Sequence, residues 1–125
     1  MSSIGFYVTQ KTYQGKHGLS LKLEGVDEGF NTNAKERCIV IHGAEYASPK
    51  FIDQAGRLGR SLGCPALPME EHEDIINTVV GETAMYVHAK SDAYTSHYLD
   101  HATAMAEIVR ENPNNTLPPN TDISI

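Results

Sequence analysis

The chain has 125 residues, a length that suits one domain with a single hydrophobic core. Hydrophobic residues make up 40% of it, and no apolar run approaches the ~20 residues that cross a bilayer, so we expect no membrane span. Because 16 Asp and Glu outnumber 10 Lys and Arg, for a net charge of −6, and no basic cluster could neutralise phosphates, the sequence excludes nucleic acid as a partner.

The first half of the chain predicts a β-hairpin followed by a buried strand. Residues 5–9 (GFYVT) carry aromatic and β-branched side chains, and residues 19–23 (LSLKL) alternate apolar with polar side chains. Gly15 and Gly18 lie between them, so we predict two paired strands joined by a long tip. After a polar stretch, the apolar run CIVIH at residues 38–42 predicts a strand buried on both faces.

Two helices are predicted next. Ser48 is placed to cap a short helix with Pro49 at its first position and Gly56 at its end. We expect residues 56–68 to form a loop. Residues 70–80 predict the second helix, because acidic side chains lie in its first turn and a glycine follows its end. Four apolar side chains fall on one stripe of this helix, Ile75, Ile76, Val79 and Val80.

The rest of the chain predicts a strand, a helix and a tail. Residues 83–89 (TAMYVHA) predict the strand, and residues 96–111 repeat apolar positions at a spacing that favours a helix. Residues 112–125 are rich in Asn and Pro and carry too little apolar surface to offset the entropy of ordering. We therefore expect this tail to be disordered.

The segment RSLGCPA around Cys64 is the part of the sequence that predicts chemistry. Gly63 lets a ligand approach the backbone closely and Pro65 stiffens the chain on the other side, so the loop can aim a thiol outward. The amides of Gly63 and Cys64 could also hold a developing oxyanion. A thiol needs a nearby base or positive field to become a thiolate at neutral pH, and His42, at the end of the buried strand, is the candidate.

Cys38 is the other cysteine of the chain. It shares the predicted strand with His42, and four residues of extended chain would separate the two by roughly 13 Å. We therefore expect Cys38 to be a small buried hydrophobe rather than the nucleophile.

The motifs HGAEY at residues 42–46 and GRLGRSLGCPA at residues 56–66 resemble the murein L,D-transpeptidase (YkuD-type) catalytic domain family. The resemblance runs from residue 4 to residue 89 and includes TYQGKHGLSLKLEG, GFN and IVIHGA. It implies a mainly β fold with peripheral helices (α+β), in which a curved sheet or β-sandwich is incomplete at the N-terminus. Residues 1–90 would then be a partial catalytic domain, residues 91–111 a helical extension and residues 112–125 the disordered tail.

In this family a cysteine attacks the carbonyl at the third residue of a peptidoglycan stem tetrapeptide and releases the terminal D-alanine. The acyl group then passes to an amine or to water. The resemblance implies that Cys64 is the nucleophile and that His42 is the general base, oriented by the backbone carbonyl of Gly43. It also implies that the oxyanion donors are the amides of Gly63 and Cys64.

Ser61 matches the serine of the family's SxGC motif. The chain departs from the commoner pattern at Leu62, where a second histidine often stands, and at Ala66, where an arginine often stands. These departures concern the part of the motif that recognises the stem peptide.

Further residues are candidates for contacting the stem peptide. His17 lies on the hairpin that borders the site in the family fold, and the two arginines offer planar donors to the carboxylates of the peptide. The set comprises His17, Tyr13, Tyr46, Arg57 and Arg60. No cofactor is expected, and the oligomeric state stays open. The resemblance implies a periplasmic or cell-envelope location, although MSSIGFYVTQ at the N-terminus lacks the features of a secretory signal.

Three functions compete at this point. The first is an L,D-transpeptidase or its hydrolytic variant, and the second is an inactive or truncated peptidoglycan-binding remnant of that family. The third is a zinc hydrolase with His17, His42 and Cys64 as ligands, which matches no short zinc motif. His97 and His101 are spaced to share a helix face but lack a third ligand, and His72 also falls on a predicted helix, so we expect no metal site.

Overall fold

In a computed structural model, the described residues are 2–100 together with Ala102, Thr103, Ala106 and Arg110. The chain divides into two compact units, Met1–Tyr94 and Thr95–Ile125. All of the candidate site residues lie in the first unit.

The first unit is built on one five-stranded sheet that curls into a half-barrel. The strands are β1 (Gly5–Gly15), β2 (Gly18–Gly25), β3 (Val40–Gly43), β4 (Ala66–Leu67) and β5 (Ala84–Val87), in the spatial order β4-β3-β2-β1-β5. Only β3 and β4 pair in parallel; the other neighbours are antiparallel. The predicted mainly β fold with peripheral helices is confirmed.

The predicted hairpin is present, but its tip is short. Strands β1 and β2 pair as far as Gly15 and Gly18, so that Lys16 and His17 alone form the turn. The prediction of a long tip was wrong because polar residues extend β1. Their backbone groups continue the ladder with β2 although their side chains are largely exposed, so an apolar pattern could not reveal this part of the strand. Gly18 follows the turn with a φ of 79°, which glycine adopts without strain.

Strand β3 is buried along its whole length, as the apolar run predicted. It begins at Val40 rather than at Cys38, and Cys38 is exposed. The prediction that Cys38 is a buried hydrophobe was therefore wrong. The Cys38 amide donates to the carbonyl of Lys35 at 3.1 Å, and a φ of 54° at Cys38 turns the chain out of this bend before β3 starts.

The hydrophobic core lies between the sheet and the second helix of the unit. That helix, α2 (His72–Val79), packs against β2 and β3, and Ile76 is its fully buried residue. The other buried members of the core come from the strands and from the segment before β3, and they are Tyr7, Leu21, Leu23, Ala34, Ile39 and Ile41. Helix α2 thus covers the sheet next to the point where β3 ends.

The first helix, α1 (Pro49–Ala55), begins and ends at the predicted residues. Ser48 caps it, since its Oγ accepts a hydrogen bond from the Phe51 amide at 3.2 Å. Gly56 ends it with a φ of 70° and donates from its amide to the Ile52 carbonyl at 2.7 Å.

The polar segment between β2 and β3 is fixed by two buried side chains. Asp27 accepts from the Phe6 amide at 2.6 Å and from the Tyr94 hydroxyl at 2.6 Å. Asn31 accepts from the Asp27 amide at 2.9 Å and donates to the Phe6 carbonyl at 2.8 Å. Asn31 is the asparagine of the GFN motif, and in this fold it joins the segment to the start of β1.

In the second unit, Ser96 caps a short 3-10 helix, His97–Leu99, by accepting from the Tyr98 amide at 3.2 Å. Ala102, Thr103, Ala106 and Arg110, which fall within the helix predicted over residues 96–111, are helical. The remaining residues of that predicted helix after residue 100, including His101, lie outside the described residues, as does the predicted tail.

Candidate functional site

The loop that carries Cys64 closes on itself through Ser61. The Ser61 hydroxyl donates to the Cys64 carbonyl at 2.5 Å and accepts from the Gly63 amide at 3.2 Å. Gly63 has a φ of 127°, which a residue with a side chain adopts only with strain. The serine and the glycine of the motif therefore shape one tight turn, from which the Leu62 side chain points into solvent with 96% exposure.

This turn bears on the predicted oxyanion donors. The Gly63 amide is engaged by Ser61 in this structure, so it would have to leave that hydroxyl before it could bind an oxyanion. The Gly63 carbonyl is also engaged, since it accepts from the Ser2 hydroxyl at 2.8 Å.

Strand pairing joins the segment after Cys64 to the strand that carries His42. The short strand β4 begins two residues after Cys64 and pairs in parallel with β3, with Ala66 opposite His42. The His42 amide donates to the carbonyl of Pro65 at 3.2 Å. Two segments that are distant in sequence are thus brought together at the ends of two strands.

The His42 ring is held by its own strand. It is buried, and its Nδ1 lies 2.9 Å from the carbonyl oxygen of Gly43. A carbonyl can only accept, so Nδ1 carries the proton and Nε2 of the neutral ring is the acceptor. This is the orientation that the family resemblance implied.

The thiol of Cys64 is half-buried and points toward the start of β3. It donates to the carbonyl oxygen of Cys38 at 3.8 Å. Over the described part of the chain, no hydrogen bond joins this thiol to the His42 ring. Proton transfer between the two therefore requires the thiol to turn away from Cys38.

Two of the predicted substrate-binding residues flank His42. The ring of His17, at the hairpin turn, lies 4.8 Å from the His42 ring at an angle of 30°, and the ring of Tyr46 lies 6.5 Å away at 76°. Burial raises the pKa of the Tyr46 phenol, and the neighbouring Cys64 raises it further. Tyr46 is in turn covered by Gly59, where an added side-chain carbon would come within 2.4 Å of the Tyr46 Cβ.

The other three predicted substrate-binding residues are exposed. Tyr13 is exposed on β1, with the Lys22 ammonium 5.6 Å from its ring centre. Arg57 is exposed and donates to the Leu58 carbonyl at 3.0 Å, and Arg60 is exposed. The structure therefore brings His17 and Tyr46 to His42, and leaves the two arginines on the loop before Cys64.

The sequence interpretation missed the role of His72. Its ring is 4% exposed and lies against Gly43, where an added side-chain carbon would come within 2.8 Å of both the His72 ring and the Met69 sulfur. His72 Nδ1 donates to the Met69 carbonyl at 2.8 Å, and its buried Nε2 has no hydrogen-bond partner among the described residues. The glycine directly after His42 is the sequence signal for this close approach.

A groove of about 920 Å³ lies between α1 and the segment that precedes α2. Its apolar lining includes Phe51, Leu58 and Met69, and its acidic lining includes Glu45 and Glu71. Among the residues that the structure describes, no three His, Cys, Asp or Glu side chains are placed to hold a metal ion.

The family model of the L,D-transpeptidase catalytic domain, named YkuD_2, matches residues 1–88. The chain belongs to this family. L,D-transpeptidases are transferases that act on peptidoglycan and are associated with the cell envelope. No significant match was found among curated proteins or among solved structures. Across the described residues, no helix of this L,D-transpeptidase domain has the length and apolar character to cross a membrane.

Proposed function

We propose that the protein is a cysteine-dependent L,D-transpeptidase that acts on peptidoglycan stem tetrapeptides, with Cys64 as nucleophile and His42 as general base. The observation that carries the proposal is the 2.9 Å contact between His42 Nδ1 and the Gly43 carbonyl, which leaves Nε2 as a proton acceptor on a strand that pairs with the strand just after Cys64. The match to the family supports the same assignment.

The reaction begins when the Cys64 thiol turns from the Cys38 carbonyl and gives its proton to His42 Nε2. The thiolate attacks the carbonyl carbon at the third stem residue, and the carbonyl oxygen becomes an oxyanion. The Cys64 amide is the first donor to this oxyanion, and the Gly63 amide becomes the second once it is released from Ser61. Each such donor commonly contributes about 3 kcal/mol to catalysis.

The second half of the reaction returns the enzyme to its starting state. Collapse of the tetrahedral intermediate breaks the peptide bond, His42 protonates the leaving amine, and D-alanine departs from a Cys64 thioester. An amine or a water molecule then gives a proton to His42 and attacks the thioester. The new amide or acid forms as the thiol is regenerated.

His17 and Tyr46 are proposed to line the part of the cleft nearest the reacting bond, because both rings lie against His42. Arg57 and Arg60 are proposed to meet the carboxylates of the stem peptide, since both are exposed on the loop that leads to Cys64. Tyr13 is proposed to contact the peptide farther out along the hairpin. Peptidoglycan is the proposed substrate, and the cell envelope is the proposed location.

An inactive remnant of the family is the alternative, and one observation favours it. The Cys64 thiol is bonded to the Cys38 carbonyl rather than to His42, as expected of an inert thiol. The test is the intact mass of the protein after incubation with a carbapenem, the inhibitor class that the family implies. A covalent adduct on the wild-type protein that is absent from Cys64→Ala supports the transpeptidase. No adduct on a folded wild-type protein, or an adduct on both, contradicts it.

A further inference from the structure

Cys38 occupies an unusual position for a cysteine. It is exposed, and its φ of 54° places the backbone in the left-handed region, which is uncommon for residues other than glycine, asparagine and aspartate. Its sulfur lies 3.9 Å from the Glu36 carbonyl, on the solvent side of the bend that leads into β3. Neither packing nor a good hydrogen bond explains a thiol here.

The same bend brings Cys38 to the candidate nucleophile. The Cys64 sulfur lies 3.8 Å from the Cys38 carbonyl oxygen, although the two residues are 26 positions apart in sequence. Both cysteines are free. A disulfide between them requires the Cys38 side chain to rotate away from Glu36 and this exposed bend to move until the two sulfurs meet.

We propose that Cys38 is the resolving cysteine of Cys64, so that peroxide converts the two thiols into a reversible intramolecular disulfide. The Cys64 thiolate attacks one oxygen of hydrogen peroxide, which breaks the O–O bond, releases hydroxide and leaves a sulfenic acid. The Cys38 thiol then attacks the Cys64 sulfur, forms the S–S bond and expels the sulfenic oxygen as water. In sum, two thiols are oxidised and one peroxide is reduced to two waters.

This modification would protect the nucleophile. A sulfenic acid that meets no second thiol proceeds to the sulfinic acid, which is generally irreversible, whereas a disulfide is restored by exchange with a reducing thiol. The inference needs only the two thiols and their placement, so it stands or falls independently of the transpeptidase proposal.

The test compares the full chain with its Cys38→Asn variant after exposure to hydrogen peroxide and then to dithiothreitol. Asparagine tolerates the left-handed backbone better than most residues, so this variant removes the thiol and keeps the bend. We expect the wild-type protein to lose the mass of two hydrogen atoms, and peptide mapping without reductant to find residues 38 and 64 linked. Dithiothreitol should restore its reaction with iodoacetamide at Cys64, whereas Cys38→Asn should gain two oxygen atoms and stay blocked.

Two results would overturn the proposal. One is a wild-type protein that gains two oxygen atoms at Cys64 as fast as Cys38→Asn does. The other is a disulfide that joins two copies of the chain instead of residues 38 and 64 of one copy, seen as a doubled mass in the absence of reductant. The peroxide experiment reads only protein masses and alkylation, so it does not depend on transpeptidase activity. If the carbapenem does not react with the protein, that result counts against the transpeptidase proposal and not against the disulfide.

Discussion

Replacing Gly43 with alanine tests the close packing behind the candidate base. The added carbon would lie 2.8 Å from the His72 ring and 2.8 Å from the Met69 sulfur, whereas carbon contacts are most favourable near ~3.5 Å or beyond. The ring or the strand must therefore move by about 0.7 Å. The His72 ring is buried and its Nδ1 donates a hydrogen bond to the Met69 carbonyl, so neither His72 nor Met69 can move freely.

Overpacking of this kind costs about 1–3 kcal/mol of unfolding free energy. Urea unfolding followed by circular dichroism measures it, and an unchanged slope would show that the stability changed without a change in the surface exposed on unfolding. Gly15→Ala is the matched control, since its added carbon would lie 3.0 Å from the exposed Tyr13 ring and 3.7 Å from the Ser20 hydroxyl, an ordinary contact. We expect the control to lose less than about 1 kcal/mol.

A double-mutant cycle with His72→Ala separates this clash from a general loss of stability. Removing the ring relieves one of the two close contacts of the new carbon, so Gly43→Ala should cost at least about 1 kcal/mol less in the His72→Ala background. If the two substitutions add within about 0.5 kcal/mol, the His72 ring does not contact Gly43 as described, and the reasoning is refuted.

Other predictions address the sheet and the buried Asn31 side chain that joins the segment before β3 to the start of β1. Asn31→Ala removes the hydrogen bonds of the Asn31 side chain to the Phe6 carbonyl and the Asp27 amide, and should cost about 1–3 kcal/mol in urea unfolding. A loss no larger than the ~1 kcal/mol expected for the helix-cap variant Ser48→Ala would contradict this. Burial raises the pKa of Tyr7 above its unfolded value, so the stability it contributes is present below about pH 10 and is lost as pH rises through the folded pKa. Tyr7→Phe should flatten the alkaline fall of the unfolding free energy, and an unchanged slope would contradict the assignment.

The elements that the sequence predicted are those with local signals. Helix α1 has its serine cap, its proline and its terminal glycine within nine residues, 48–56, and each acts locally, so both ends of the helix were predicted. Strand β3 is buried on both faces, and a short run of apolar residues indicates that directly. The glycine before Cys64 is a local signal for the tight turn found there, and the functional role of this segment stays a prediction.

What the sequence did not reveal depends on contacts between distant residues. Cys38 belongs to an apolar run, yet it is itself the left-handed residue that ends the preceding turn, and only the fold exposes its thiol. His72 looked like an ordinary helix residue, because its contact with Gly43 depends on how α2 packs against β3. The polar end of β1 was missed because its pairing uses backbone groups alone.

The most direct test of the central claim is the release of D-alanine from a disaccharide tetrapeptide by the wild-type protein, Cys64→Ala and His42→Ala, all shown to be folded by circular dichroism. The account predicts release together with a thioester adduct for the wild-type protein. It predicts no release for Cys64→Ala and a rate at least about 10²-fold lower for His42→Ala, the usual loss when a general base is removed. Release by Cys64→Ala at the wild-type rate, or no release by the folded wild-type protein, would contradict it.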